Sequence, residues 1–345
     1  MRARQRRSEE YAMSTATAVA RANIALAKYW GKSDVALNLP AVPSISLTLD
    51  PLTTETKVTL DAALERDLLL LSGKAAGESE TRRAAKLLNG LRARCGETRF
   101  ARVESVNHFP TASGLASSAS GFAALAGAAQ AAMGMALRPE EISAIARQAS
   151  ASAARSVYGG FVELPAGVPG DGDLAATRLY PPSYWDVRIV VAVASEGPKE
   201  TGSTDGMEHT RNTSPYYDAW LHAAPALAAD VKRGLETRDL ARVGEAMEQS
   251  TLAFHACAMA AAPAVIYLQP VTLAALATVK RLRREGVPVY ATMDAGPHVK
   301  ALCAAEDAAR VARALEATDG VLRTILASPG EGLHIDGVSA WWNRE

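Results

Sequence analysis

The sequence predicts an α+β protein of two lobes with a cleft between them, and three observations carry that expectation. Short β-like runs and long helix-periodic stretches are mixed along the whole chain. Its 345 residues exceed what one hydrophobic core usually serves. Gly and Pro concentrate between Val162 and Pro182, and the apolar run DVRIVVAVAS begins soon after. The predicted organisation is therefore an N-terminal extension over 1–17, expected to be disordered, a first lobe over 18–184 and a second over 185–345.

In chain order, Asn23–Ala27 reads as an apolar strand. From Ile45 to Leu71 the runs ISLTL, ETKVTL and LLLLS read as short strands, with a hairpin-like DAALERD before the last. Glu80–Arg94 has helical apolar spacing, and ARVESV at 101–106 is strand-like. A loop, NHFPTASGLASSASG, then opens a helix of small residues. Pro139 followed by Glu140 and Glu141 starts a further helix, predicted to reach Val157 before Gly159-Gly160 stops it. FVEL is again extended. In the second half, several helices follow DVRIVVAVAS, VPVYATM at 287–293 reads as a buried strand, and His298–Ala317 is predicted to be a helix.

Composition excludes several classes. With 48% hydrophobic and 21% charged residues the chain is neither disordered nor fibrous. Lys+Arg 37 against Asp+Glu 37 leaves no net charge for gripping nucleic acid or an anionic membrane, so an anionic ligand must be held by a few local cations. Cys95, Cys257 and Cys303 form no CxxC pair, which argues against a disulfide framework or a structural zinc and fits a reducing cytoplasm. The basic stretch before Met13 lacks an apolar core and is no secretory signal; it is either a disordered arm or precedes the true initiator, Met13. Gly121–Leu137 is rich in Ala and Gly and interrupted by Gln130, which suits a buried helix better than a membrane span. Gly31-Lys32-Ser33 lacks the leading glycine of a Walker loop, and the Gly170, Gly172, Ala175 match lies in a loop without the strand–helix context of a dinucleotide fingerprint.

Four elements carry chemistry. Ser113, Gly114, Leu115, Ala116, Ser117 and Ser118 stand where a small-residue helix begins. Such an end offers free backbone N–H groups and a positive dipole to phosphate, and Ser117 or Ser118 can ligate Mg²⁺; an ordinary helix cap is the plainer alternative. Asn23-Ile24-Ala25-Leu26-Ala27-Lys28-Tyr29-Trp30-Gly31-Lys32 ends in two cations around two aromatics, either an anion grip or a solvated pair. Asp294, in Met293-Asp294-Ala295-Gly296-Pro297, sits at a strand's end, either projecting into a cleft or capping the next helix. Arg155, within Ser152-Ala153-Ala154-Arg155-Ser156-Val157-Tyr158-Gly159-Gly160, can serve a helix C-terminus or reach a carboxylate bidentately.

The ordered set NIALAKYWGK, NHFPTASGLASSASG, SAARSVYGGFVE and MDAGP resembles the GHMP small-molecule kinase superfamily and, within it, the diphosphomevalonate decarboxylase family. STDGMEHTRNTSP, FHACAM and PAVIYL fit as well, so the resemblance spans roughly residues 18–335. It implies a GHMP-kinase-like two-lobed fold, a phosphate loop in the first lobe, ATP as co-substrate with Mg²⁺, a phosphorylated mevalonate as substrate, and a homodimer. It implies a reaction in which the tertiary 3-hydroxyl is phosphorylated, then phosphate and carbon dioxide leave. Asp294 would be the catalytic carboxylate near the 3-hydroxyl, Arg155 the arginine that holds the substrate's carboxylate or phosphates, and Lys28, the first lysine of its motif, a further catalytic residue. Asn23, Tyr29, Lys32, Arg83, Ser152 and Ser203 would face the substrate, although Arg82 can equally take the place of Arg83. Residues 113–118 would hold the nucleotide. Sibling outcomes are a phosphomevalonate decarboxylase or a mevalonate 3-kinase; a non-catalytic ligand sensor on the same fold is the alternative from another class. The chain departs from the family at Ala41-Val42-Pro43, at Gly202 and at His298, places where polar residues are usual.

Overall fold

The computed structural model describes residues 14–109, 117–197 and 200–337. Strand β1 (Ser14–Ala27) pairs antiparallel with β4 (Ser44–Asp61), and a small hairpin of β2 (Lys32–Asp34) and β3 (Leu39–Pro40) lies between them in sequence. β1 begins at Ser14, so the expected disordered extension over 1–17 is corrected there: Ser14–Thr17 pair with Lys57–Leu60. β4 is one continuous strand through what the sequence divided into separate runs. It changes partner around Pro51, which has no amide N–H to donate. The register with β1 jumps from Asn23↔Thr48 to Arg21↔Thr53, and Leu49 and Asp50 pair instead with Pro329 and Ser328 of β13 (Arg323–Pro329). That switch joins the two halves of the molecule in one sheet.

DAALERD is not a hairpin. β5 (Leu68–Leu71) skips one place in the sheet, which β7 (Phe100–Asn107) fills between it and β4, and β5 then turns into β6 (Lys74–Ala75). Helices α1 (Glu78–Cys95), α2 (Ser117–Ala132) and α3 (Pro139–Ala149) pack together with β1, β4 and β7 around a core that includes Leu88, Leu91, Ile142 and Val58. The small residues of α2 permit a close approach: a Cβ on Gly127 would lie 2.8 Å from Leu333. Gln130, buried in that helix, accepts from the Leu137 N–H, which explains one polar residue in an apolar run. The helix predicted to reach Val157 stops earlier. Ser150 is extended, and a 3₁₀ stretch, Ala151–Val157, leads to β8 (Phe161–Leu164) and β9 (Thr177–Tyr180).

The second half contributes β10 (Val187–Val193), α4 (Ser203–Thr213), α5 (Tyr217–Thr237), α6 (Leu240–Met259), α7 (Pro270–Arg284), β11 (Val289–Met293), β12 (Val299–Ala304) and α8 (Ala308–Glu316). The sheet order is β11-β12-β10-β13-β4-β7-β5-β6. Val190, Val289 and Ala301 pack with residues of α7 and α8, whereas Ile189, Val191 and Leu302 pack with α5 and α6. The predicted helix over His298–Ala317 is corrected: Val299–Ala304 is a strand paired with both β10 and β11, and the helix begins at Ala308. The chain end returns to the first half, where β14 (His334–Ile335) pairs with β1. Among the described residues no helix is long and apolar enough to cross a membrane.

Helix α6 approaches β11 closely because residue 244 is glycine; a Cβ there would lie 2.0 Å from the Tyr290 ring. Gly244→Ala should therefore cost about 1–3 kcal/mol despite its better helix propensity, measured as a lower urea midpoint with unchanged slope.

Candidate active site

The site is built where three strands end. Lys28 follows the last residue of β1 and is buried; its Nζ donates to Asp294 Oδ1 at 2.6 Å. Asp294 follows the last residue of β11, and the turn Asp294–Pro297 folds the chain straight back into β12, with the Gly296 N–H donating to the Asp294 carbonyl at 2.7 Å. Asp294 is thus no helix cap. The hairpin brings in Lys300, which is fully buried and lies 3.0 Å from Asp294 Oδ2. Each carboxylate oxygen has its own lysine.

Arg155 is buried within electrostatic reach of this group. No carboxylate takes it bidentately among the described residues. Its Nε donates to Ser46 Oγ at 2.9 Å, Nη1 to Ser44 Oγ at 2.6 Å and Nη2 to Asn23 Oδ1 at 3.3 Å. Asn23 in turn donates to Ser156 Oγ at 2.8 Å and to the Ser152 carbonyl at 3.0 Å. Asn23, expected on the substrate side, thus also holds the arginine, and the Ser152 backbone helps to hold Asn23.

Three cations face one carboxylate, which leaves a local excess of positive charge in a chain of zero formal charge. Burial alone would raise the Asp294 carboxyl, but Lys28 and Lys300 outweigh it and hold the group below the ordinary carboxylate range. Burial lowers Lys28 to about 8; Asp294 opposes that shift, while Lys300 and Arg155 add to it. Burial likewise raises the phenol of Tyr29, against the pull of Arg155.

A second cation group lies around Lys32 and Arg83. Lys32 is half-buried on β2, and its ammonium is disfavoured first by burial and then by Arg83. Arg83 donates to the Ala149 carbonyl at 3.1 Å and lies over the Phe122 ring, 4.4 Å from its centre. Arg82 points outward and pairs with Glu78, so Arg83 is the inward arginine. Phe122 stands one helical turn beyond Ser118, which places Arg83 beside the opening turns of α2. Ser117 is half-buried and Ser118 exposed at that end; Ser113, Gly114, Leu115 and Ala116 lie outside the described residues. Ser203 opens α4, whose Asp205 and Glu208 both act on Lys32. Among the described residues no cluster of three His, Cys, Asp or Glu is arranged to hold a metal ion.

The comparisons with known proteins fall on this geometry. The model of the diphosphomevalonate decarboxylase-like N-terminal domain matches residues 20–175, and that of the mevalonate 5-diphosphate decarboxylase C-terminal domain matches 189–324. The chain belongs to the diphosphomevalonate decarboxylase family. It is 36% identical to the diphosphomevalonate decarboxylase of Candida albicans over 304 residues, which is 83% of each chain. The crystal structure of mevalonate diphosphate decarboxylase from Staphylococcus aureus aligns with a TM-score of 0.88 at 36% identity, covering 94% of this chain and 98% of that one. A structure of MDDEF in complex with MVAPP, AMPPCP and magnesium aligns with a TM-score of 0.88 at 38% identity, covering 94% of this chain and 99% of the other. The α+β, GHMP-kinase-like fold is that of the family.

Sequence reasoning missed Lys300, Ser44, Ser46, Ser250, Thr251 and His255. Lys300 enters only through the β11–β12 hairpin, which the predicted helix concealed. Ser44 and Ser46 alternate along β4 and so share a face, a signal available once that strand was recognised. Ser250, Thr251 and His255 are all buried on α6, with Thr251 and His255 one helical turn apart. His255 is buried; burial, and then Lys28, push it down to about 3 while Asp294 opposes the shift, so the ring is neutral.

The Asp294 shift has a consequence for stability. A carboxyl held below its unfolded value of about 4 stabilises the fold above that pH, and the contribution is lost as pH falls towards the folded value. Between pH 5 and 3 the wild type should lose urea stability more steeply than Asp294→Asn, which has no such proton to bind. Parallel slopes for the two proteins would show that Asp294 does not carry the shift.

Proposed function

We propose that this chain catalyses the ATP-dependent decarboxylation of mevalonate 5-diphosphate to isopentenyl diphosphate, a step of the mevalonate route to isoprenoids. The observation that carries the reading is the Asp294 carboxylate, set between Lys28 and Lys300 with Arg155 alongside, in a chain of this family. The γ-phosphoryl group of ATP passes to the substrate's 3-hydroxyl. The C1–C2 bond then breaks as carbon dioxide leaves, its electron pair forms the C2–C3 double bond, and the C3–O bond to phosphate breaks.

The residues suit that chemistry. Phosphoryl transfer is mainly positioning and charge neutralisation. Asp294 is too acidic to pull a proton from an alcohol early, so it orients the hydroxyl and accepts its proton late, when transfer is advanced. The same carboxylate stabilises positive charge at C3 as the second stage proceeds. Arg155 and Lys28 offset the substrate's carboxylate and the transferring phosphoryl charge, while Tyr29, Lys32 and Arg83 take the 5-diphosphate. Residues 113–118 hold the nucleotide, and Ser203, with Asn23 and Ser152, is on the substrate side. Mg²⁺, when bound, neutralises the nucleotide's phosphate charge, and Ser117 or Ser118 would ligate it.

This reading also includes lobes divided near residues 184 and 185, a homodimer, and a place in the cytoplasm. The substituted positions 41–43 and 202 remove neutral partners, whereas charge-assisted bonds, roughly twice as strong, remain. A preference for the diphosphate over the monophosphate follows.

Asp294→Asn keeps the shape and removes the charge, so turnover should fall at least about a hundredfold while ATP binding changes little. Near-normal turnover would remove Asp294 from the mechanism. Substrate choice is tested by ATP consumption and carbon dioxide release with mevalonate, its 5-phosphate and its 5-diphosphate. The diphosphate should have the highest kcat/KM, and Lys32→Ala should shrink its advantage over the monophosphate. Equal or better use of the monophosphate moves the protein to the sibling decarboxylase, and phosphorylation without carbon dioxide to the 3-kinase.

A further inference from the structure

Strand β11 is an edge strand, paired on one side only, with β12. An edge strand leaves alternate N–H and C=O groups without ladder partners, and these must be satisfied by other means when buried. Side chains of α6 and α7 do so in sequence. Arg283 donates to the Val289 carbonyl at 3.0 Å, and Glu248, itself paired with Arg283, accepts from the Ala291 N–H at 2.8 Å. Thr251 completes the row at Met293: its hydroxyl accepts from the Met293 N–H at 3.0 Å and donates to the Met293 carbonyl at 2.8 Å. Thr251 thus holds both polar groups of the residue immediately before Asp294.

Its neighbour treats the other strand alike. The Ser250 hydroxyl, buried at the same level of α6, accepts from the backbone N–H of Lys28 at 2.9 Å. Two consecutive hydroxyls on one helix therefore grip the backbone on both sides of the Lys28–Asp294 pair.

We propose that Thr251 and Ser250 are positioning residues for the reaction: Thr251 fixes the Asp294 carboxylate and Ser250 fixes Lys28, so α6 sets the distance between them. A helix is the stiff element for this purpose, because its successive side chains keep a fixed spacing. A displacement near 1 Å at a reacting group is enough to cost up to about a hundredfold in rate. The proposal rests on the reading of Asp294 as the group at the reacting hydroxyl.

The test compares Thr251→Val, which keeps the volume and removes the hydroxyl, with Thr251→Ser, which keeps the hydroxyl. The valine variant should lose at least tenfold in kcat while KM for ATP stays within twofold, and the serine variant should recover kcat to within threefold of wild type. Added to Asp294→Asn, Thr251→Val should lower the residual rate less than twofold, because the group it positions is already gone. Wild-type kcat in the valine variant overturns the proposal, as does a tenfold loss repeated on the Asp294→Asn background. Ser250→Ala gives a second, independent reading through Lys28, with at least a fivefold loss in kcat expected; if the valine variant does not fold, unchanged kcat here overturns the clamp. If the wild type itself releases no carbon dioxide from mevalonate 5-diphosphate, the functional reading fails. The clamp is then judged from crystal structures of wild type and Ser250→Ala, where an unchanged Lys28–Asp294 distance overturns it.

Discussion

A half-buried carboxylate held by two buried lysines is an arrangement that the rest of this structure has to serve. The two lysines depend on it most, because without the carboxylate their buried charges would be neither solvated nor paired. Asp294, Lys28 and Lys300 come from the ends of three strands, and those ends must meet within hydrogen-bond distance. The partner switch of β4 near Pro51 puts β13, β10 and β12 into the same sheet as β1's partner strand, so the halves that carry Lys28 and Lys300 are joined through backbone hydrogen bonds rather than through side-chain contact alone. Helix α6 then bridges β1 and β11 directly.

How much of this was legible in the sequence depends on how local each signal is. Asp294 at a strand's end was readable because VPVYATM is β-branched and apolar and Ala-Gly-Pro forces a turn. What followed was not. HVKALCAA places Val299, Ala301 and Cys303 on one side of a strand, yet its alanines, with the helical residues beyond, also satisfy a helix; pairing with β10 and β11 decides for the strand. Lys300 was lost with that element. The switch within β4 was equally unreadable, since a proline inside an apolar run ordinarily separates two strands. Arg155 was recognised, but its partners were not, because Asn23, Ser44 and Ser46 become neighbours only when β1 and β4 are aligned.

The departures from the family pattern have physical accounts where the structure describes them. Val42 is buried against the aromatic cluster of Trp30, Trp220 and Phe254, so the apolar residue extends a core that holds the Lys28–Lys32 segment from behind. His298 is fully buried, and its Nδ1 accepts from the Ala194 N–H at 3.0 Å, tying the end of β10 to the start of β12. Gly202 precedes α4 as its N-cap with extended backbone and no side-chain capping bond. None of these changes removes a charge.

The two cation groups also explain how a chain without net charge can handle highly anionic ligands. Many surface cations here are spent on neighbouring carboxylates, as in Arg82–Glu78, Arg211–Glu208 and Arg233–Asp230, and such exposed pairs contribute little field at a distance. Lys32 is instead lowered by burial and then by Arg83, and Lys28, Lys300 and Arg155 share one carboxylate. Buried like charges of this kind are costly in the free protein and are relieved when an anion arrives, so the instability stored at the site turns into ligand affinity. Under the proposed function, their placement in two groups would give the ligand a direction: a reacting end with its carboxylate against the inner three cations, and a phosphorylated tail against the outer two. A single broad basic face would bind the same charge without fixing which end meets Asp294.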